Sequence, residues 1–363
     1  RFHYVWLRHS GRCSHGMPND TSVKIDLVPD DPTVLRVDTC AVTGDLLQVI
    51  WADEGLVTDQ SLETLHRWGY DRQSRSERKH SPLLWNAESA ASIPIFDHPS
   101  LTEPENRFQL LCTVRDFGVA RIRDVPIAPG TVAEVAEYFG PVHVNNYGRV
   151  FDVRTDNHAG LGSNTGAALG PHTDESYRHA PPGISLFHCL AASTCGGGES
   201  SLVDGFAAAQ VLREKDPESF RVLSRVPLFF QRLSPNHEDL RAYGRVIATD
   251  IDGDVVGIRF TDRTLPPQDL PDEEVEDVYR AIRGFWQIVS DSAMQWIYAL
   301  QPGELHVFDN HRVLHGRHAF NADGNPRHMQ QCSVNRDEFH NALRLMAAER
   351  NSPDQHLIMS GGA

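Results

Sequence analysis

Gly170-Pro171-His172-Thr173-Asp174, with Pro181-Pro182-Gly183 a short way downstream, is the stretch on which the reading of the whole chain turns. His172 and Asp174 stand two apart, so on a strand both side chains point to the same face. The flanking glycines and prolines mark breaks where a strand edge opens into a pocket. By itself this is thin evidence: the chain has 19 His, and a single His is usually a core or surface residue. A third ligand changes the reading. Two imidazoles and one carboxylate can occupy one face of a ferrous ion and leave the remaining positions open, the pattern of non-heme iron oxygenases.

The distal candidates are His311, His315 and His318. A strand over Val313-Leu314-His315-Gly316-Arg317 would set Val313, His315 and Arg317 on one face, and small Gly316 is expected to leave room for a ligand. His311 follows Asp309-Asn310 and belongs to a turn. His315 is therefore the expected third ligand.

Working outward, Ile184, Leu186 and His188 alternate with Ser185 and Phe187, and Leu305 to Phe308 and Gln331 to Val334 also read as strands. Thr131 and Glu134 predict a capping box for a helix that Gly140 ends. Asp216-Pro217 supplies an N-cap and first helical residue. Val275, Val278, Tyr279, Ile282, Phe285 and Val289 form the stripe of a long helix. Many short strands with a few inserted helices predict a mainly β fold, a jelly roll (double-stranded β-helix) rather than a doubly wound sheet.

Residues 1–80 read as a small β-rich N-terminal domain and 81–363 as the larger one. In the first, Phe2, Tyr4 and Trp6 alternate with their neighbours, as do Val23, Ile25 and Leu27, and both predict strands. Thr43-Gly44-Asp45 predicts a turn before a strand over Leu46 to Trp51, and Asp71 to His80 reads as a polar linker.

The composition, 363 residues with 40% hydrophobic and 23% charged, is globular. The net charge of -15 disfavours nucleic acid and anionic membranes as partners. No apolar run approaches the ~18 residues that span a bilayer. Cys13, Cys40, Cys112, Cys189, Cys195 and Cys332 are scattered without a CxxC, which predicts free thiols in a reducing compartment. The expected location is the cytoplasm; because the chain begins at Arg1 rather than Met, an organelle stays open.

From Tyr147 to Val334 the sequence resembles the γ-butyrobetaine hydroxylase branch of the Fe(II)/2-oxoglutarate-dependent dioxygenases, within the taurine dioxygenase superfamily. The stretches that carry the resemblance are Gly170–Asp174, Pro181-Pro182-Gly183, Leu186-Phe187-His188-Cys189, Gly197-Gly198-Glu199-Ser200, Val203-Asp204-Gly205-Phe206, Phe308–Arg317 and Arg327-His328. Val5-Trp6-Leu7-Arg8 and Trp51-Ala52-Asp53-Glu54 resemble the branch's additional domain. The resemblance implies that His172, Asp174 and His315 bind iron. It implies that Arg327 pairs with the distal carboxylate of 2-oxoglutarate, with Ser200 and Arg317 in the same cosubstrate site. Ser200 reads equally well as an ordinary turn residue. The implied reaction consumes dioxygen, releases succinate and carbon dioxide, and oxidises an unactivated carbon of a small molecule by hydroxylation, desaturation or ring closure. A homodimer is also implied.

The chain departs from the branch in two places. The branch carries a structural zinc, but here Gly11, Gly16 and Gly55 fall where ligands are expected and only Cys13 stays in register. Cys13, His15 and Cys40 do not make the four ligands such a site needs, so no structural zinc is expected. The second departure concerns the aromatic cage for a trimethylammonium group. Its positions fall on Tyr147, Phe151, Asn164 and Ser333, two rings and two polar side chains. Asn164 and Ser333 suit a primary ammonium or a carboxylate, Glu175 an amine, and Arg149 or Arg178 a carboxylate, although these charges read equally well as solvated. The expected substrate is a small amino-acid-like zwitterion; the alternative is a quaternary ammonium compound of the γ-butyrobetaine or trimethyl-lysine type.

Overall fold

The computed structural model describes residues 2–10, 25–52, 55–154, 165–194, 196–234, 238–321 and 327–358. They cluster into two compact units, Arg1–His80 with His356–Ile358, and Ser81–Gln355. In the first, Val37–Thr43 (β1), Leu46–Trp51 (β2) and Val57–Ser61 (β3) make an antiparallel sheet in that order. Thr43 pairs with Leu46, so Gly44 and Asp45 form the expected tight turn, with Gly44 at a φ of 64°. Buried Trp51 centres the core with Leu7, Leu35, Val49 and Leu65.

Three expectations fail in this unit. Tyr4–His9 is an α-helix, not a strand. Phe2 and Trp6, four apart, stack with ring centroids at 5.6 Å, so the aromatic spacing satisfied the helical period as well as the period of two. Ile25–Leu27 is a single 3₁₀ turn, and Val23 lies outside the described residues. The supposed linker contains the helix Arg72–Glu77, whose cap Asp71 accepts from the backbone N–H of Ser74 at 2.9 Å. That cap was readable; the lack of an apolar stripe hid it.

The larger unit contains Ile95–Asp97 (β4), Val119–Arg123 (β5), Phe151–Arg154 (β6), Leu169–His172 (β7), Ile184–Ala191 (β8) and Ser200–Asp204 (β9). Pro227–Ser234 (β10) pairs with Glu238–Arg245 (β11), and Ile247–Thr249 (β12) with Val255–Ile258 (β13). Trp296–Tyr298 (β14), Leu305–Asp309 (β15), Val313–Arg317 (β16) and His328–Val334 (β17) follow. Two sheets dominate: β14-β9-β16-β7, and β4-β5-β15-β8-β17-β6. All their pairings are antiparallel except β4 with β5.

Helices cover the outer faces. Pro104–Phe117 and Arg336–Glu349 pack on Ile184, Leu186, Leu305, Val307 and Val334 of the six-stranded sheet. Gly205–Lys215, Pro217–Arg225 and Asp272–Val289 share a core with Val203 and Leu314 of the other sheet. Asp216 caps Pro217–Arg225 by accepting from Ser219 N–H, as its sequence predicts. The capping box at Thr131 does not form. Thr131 is inside its helix, Thr131–Ala136, and Gly130 is the cap residue, at a φ of 92°. Gly130 N–H donates instead to the Gln330 side chain at 2.8 Å.

A buried ion pair ties the elements around the cavity. Arg312 donates to both carboxylate oxygens of Asp204, at 3.0 and 2.9 Å, and to the carbonyls of Asp116 and Leu83. Asp204 also accepts from the backbone N–H groups of Trp85 and Phe206. Both carboxylate oxygens and all three guanidinium nitrogens thus have partners, the condition under which a buried pair survives desolvation.

Candidate active site

The inner faces of the two sheets enclose a cavity of about 400 Å³. Cross-strand register decides which side chains line it. In the four-stranded sheet one row reads Trp296, Leu202, His315, His172, and the next reads Tyr298, Ser200, Arg317, Leu169. In the six-stranded sheet one row reads Arg121, His306, Phe187, Gln331, Phe151. His172 and His315 are therefore direct neighbours across a strand pair, although far apart in the chain.

Asp174 reaches them by another route than the one expected. β7 ends at His172, and Asp174 stands in the turn after it rather than on the strand face. Its Oδ1 lies 3.6 Å from His172 Nε2 and 3.4 Å from His315 Nε2. One ligand atom from each of the three residues falls within 4.8 Å of the others, a spacing that can hold a metal ion. His172 Nδ1 is 2.9 Å from the Gly170 carbonyl, which accepts from it. That contact puts the proton on Nδ1 and leaves the Nε2 lone pair for a metal. The donor set, two imidazoles and one carboxylate, suits ferrous iron.

Electrostatics agree. Burial, with His315 close by, pushes the His172 imidazole down to about 4. Burial alone would raise the Asp174 carboxyl, but the two imidazoles, His315 foremost, hold it well below the usual carboxylate range. Both groups thus carry the protonation state a ligand needs near neutral pH.

Two residues that local sequence reasoning missed fix Asp174. Gln331 Nε2 donates to Oδ2 at 2.7 Å. Asn310 accepts from the Asp174 backbone N–H at 2.7 Å and donates to the Asp174 and Pro182 carbonyls. Asn310 sits in the quoted Phe308–Arg317 stretch, but nothing local marked its role. Glu175, next in chain, has a φ of 52°, unusual for a residue with a side chain.

Gly316 does not leave the room for a ligand that its size suggested. A Cβ there would sit 2.6 Å from Ser201 Oγ and 2.7 Å from the Leu169 carbonyl. The glycine lets β7 and β9 close on β16, where the ladder shifts register.

Arg327, Ser200 and Arg317 all line the cavity. Arg317 donates to the carbonyls of Thr165 and Ala167, and its guanidinium lies over the Phe320 ring at 4.9 Å, with that of Arg327 at 5.5 Å. Burial, and then Arg327, lowers Arg317 to about 10; burial also lowers Arg327. This end of the cavity is cationic.

At another part of the wall the Tyr147 and Phe151 rings lie 5.6 Å apart, and the Tyr147 hydroxyl meets that of Tyr177 at 3.1 Å. Ser333 lines the cavity too. Asn164 lies outside the described residues, as do Cys13 and His15 of the degenerate zinc stretch; Cys40 is exposed. The charged candidates are already engaged: Glu175 with Arg178 and Asn145, and Arg149 with Glu137. Arg263 lines the cavity and was not anticipated; it has no ion-pair partner among the described residues.

Comparison with known proteins bears on this geometry. The family model described as taurine catabolism dioxygenase TauD, TfdA family, matches residues 77–333. A γ-butyrobetaine dioxygenase of Pseudomonas sp. (strain AK-1) is 33% identical over 96% of this chain and 91% of its own. The mitochondrial trimethyllysine dioxygenase of Gallus gallus is 30% identical over 96% of this chain and 84% of its own. Among solved structures, asparagine oxygenase with Fe(II), a 3-hydroxyasparagine and succinate superposes with a TM-score of 0.52. At 20% identity, over 64% of this chain and 80% of that one, it speaks to the fold alone. Among the described residues no helix is long and apolar enough to cross a membrane. The match over 77–333 and the near full-length relatives make this chain a member of the TauD/TfdA dioxygenase family, an oxidoreductase that works with Fe(II), 2-oxoglutarate and dioxygen.

Proposed function

We propose that the protein oxidises an unactivated C–H bond of a small zwitterion, with His172, Asp174 and His315 as the iron ligands. The convergence of the two Nε2 atoms on Asp174 Oδ1 carries the reading. Bound iron and 2-oxoglutarate supply oxygen activation, and the reaction releases succinate and carbon dioxide. The chain's own residues do the rest. Arg327 and Ser200 receive the distal carboxylate of 2-oxoglutarate, the guanidinium by a bidentate contact. Arg317 steadies that wall through the Thr165 and Ala167 carbonyls. Gln331 holds the Asp174 carboxylate and Asn310 its backbone in place. The two sheets, with their cavity between them, suit a jelly roll carrying its site inside.

At the substrate end, Arg263 is the cation open to a carboxylate, and Tyr147, Phe151 and Ser333 face the opposite head group. Because Arg178 already neutralises Glu175, the ammonium rests on ring faces and hydroxyls rather than on a carboxylate. An unmethylated amino-acid-like substrate fits two rings beside Ser333. The second reading, a quaternary amine, draws on the relatives that act on γ-butyrobetaine and trimethyllysine. Succinate release with ferrous iron, 2-oxoglutarate and oxygen, run against amino acids, γ-butyrobetaine and trimethyllysine, separates them. Turnover on an unmethylated amine supports the first reading, and turnover on quaternary amines alone overturns it. Product mass tells a gain of oxygen from a loss of two hydrogens.

A further inference from the structure

We infer that His306 is a positioning residue for the cosubstrate, presenting an N–H to a carboxylate of 2-oxoglutarate in a tautomer fixed by Tyr298. The inference rests on the reading of the site given above. His306 is 3% exposed and stands on β15 beside Phe187, in the row that faces the cavity. Its Nδ1 lies 2.9 Å from the Tyr298 hydroxyl. Its Nε2 is buried and has no partner among the described residues. A buried polar atom left unpaired is costly, so an orphan on a cavity wall calls for a ligand.

The tautomer follows from the phenol. Tyr298 is half-buried, and the His306 Nδ1 is the acceptor its hydroxyl meets among the described residues. The hydroxyl therefore donates to Nδ1, and the proton of a neutral imidazole sits on Nε2. Burial favours the neutral ring, lowering it to about 3. Phe187 and Phe308, with centroids at 5.3 and 5.4 Å, wedge the imidazole and oppose its rotation. Register places Tyr298 across from Ser200, and Ser200 across from Arg317. His306, Ser200, Arg317 and Arg327 thus form a wall rich in donors with no carboxylate among them, and the group that completes it is an acceptor. In the proposed reaction that acceptor is the dianionic cosubstrate.

The test is the dissociation constant for 2-oxoglutarate, measured calorimetrically on Fe(II)-loaded protein without oxygen. His306→Phe is expected to weaken binding about tenfold, the scale of one hydrogen bond to a charged group. His306→Gln, which keeps an N–H donor, is expected to recover most of that loss, and Tyr298→Phe to lose about threefold. Iron affinity should be unchanged in all three, which a general packing defect would not allow. Unaltered 2-oxoglutarate affinity in His306→Phe, with Arg327→Ala weakened, overturns the role of His306 and leaves the site reading standing. If neither the parent nor any variant binds 2-oxoglutarate, the site reading itself fails. Should His306→Phe not fold, Tyr298→Phe carries the test: 2-oxoglutarate affinity equal to the parent's in that variant overturns the proposal.

Discussion

Asp174 shows how much of the proposed metal centre lies outside its ligands. Its carboxylate is aimed by Gln331 and its backbone by Asn310. Such outer contacts orient a ligand, and their loss typically costs about 10–100-fold in metal affinity. Gln331→Ala is therefore expected to weaken Fe(II) binding by that order while leaving the fold intact, which competition with a chelator would measure; unchanged affinity would refute the role. The proposed ligands were legible because His172, Asp174 and His315, which the structure brings together, are distinctive residue types in a distinctive order. Gln331 was not, because cross-strand register brings it to the site and no local signal announces register. Glu175 was half legible: its charge is visible in the sequence and it lines the cavity, but its partner Arg178 is known only once the turn is built.

Glycines and buried charge set the limits on how the elements can vary. A Cβ on Gly183 would lie 2.2 Å from the backbone nitrogen of Arg336 and 2.7 Å from its Cα. Backbone cannot swing aside as a side chain can, so Gly183→Ala is expected to cost several kcal/mol, about 3 or more, seen as a lower urea midpoint. Gly170 packs against the Trp286 ring, a side-chain rather than a backbone neighbour, where the strand carrying His172 meets its covering helix. Arg312→Leu would strand the Asp204 carboxylate and is expected to cost about 3–5 kcal/mol; urea unfolding at neutral pH checks it. At this scale the sequence spoke clearly where one period dominated, as in Asp272–Val289 and Ile184–Ala191. It failed at Tyr4–His9, where the apolar spacing satisfied two periods and packing chose between them.

The whole molecule carries a net charge of -15, yet Arg232, Arg263, Arg317 and Arg327 line its cavity. Outside and inside have opposite signs, so a dianionic cosubstrate is attracted only at close range, where the field of the cavity outweighs that of the surface. Acid acts on the molecule as a whole through buried imidazoles. Burial lowers His188 to about 4 and His340 to about 3. In the unfolded chain both take up a proton near 6.5, so between about pH 4 and 6.5 the unfolded state binds more protons and stability falls as pH falls. Each such imidazole contributes about 1.4 kcal/mol per pH unit in that window. Urea midpoints of the metal-free protein should drop between pH 7 and 4.5, and His340→Leu should flatten the slope by one proton; an unaltered slope would show that His340 is not held neutral.

The division of labour between the two sheets has a consequence for descent. Both histidines hang on the adjacent strands β7 and β16, and their spacing is set by a backbone ladder. Phe151 and Ser333, by contrast, project from β6 and β17 of the other sheet, with Tyr147 in the segment that leads into β6. Under the proposed reading, point changes at these three positions can trade one guest for another without touching the oxidising centre. A lineage built this way can diversify its diet while inheriting its chemistry unchanged.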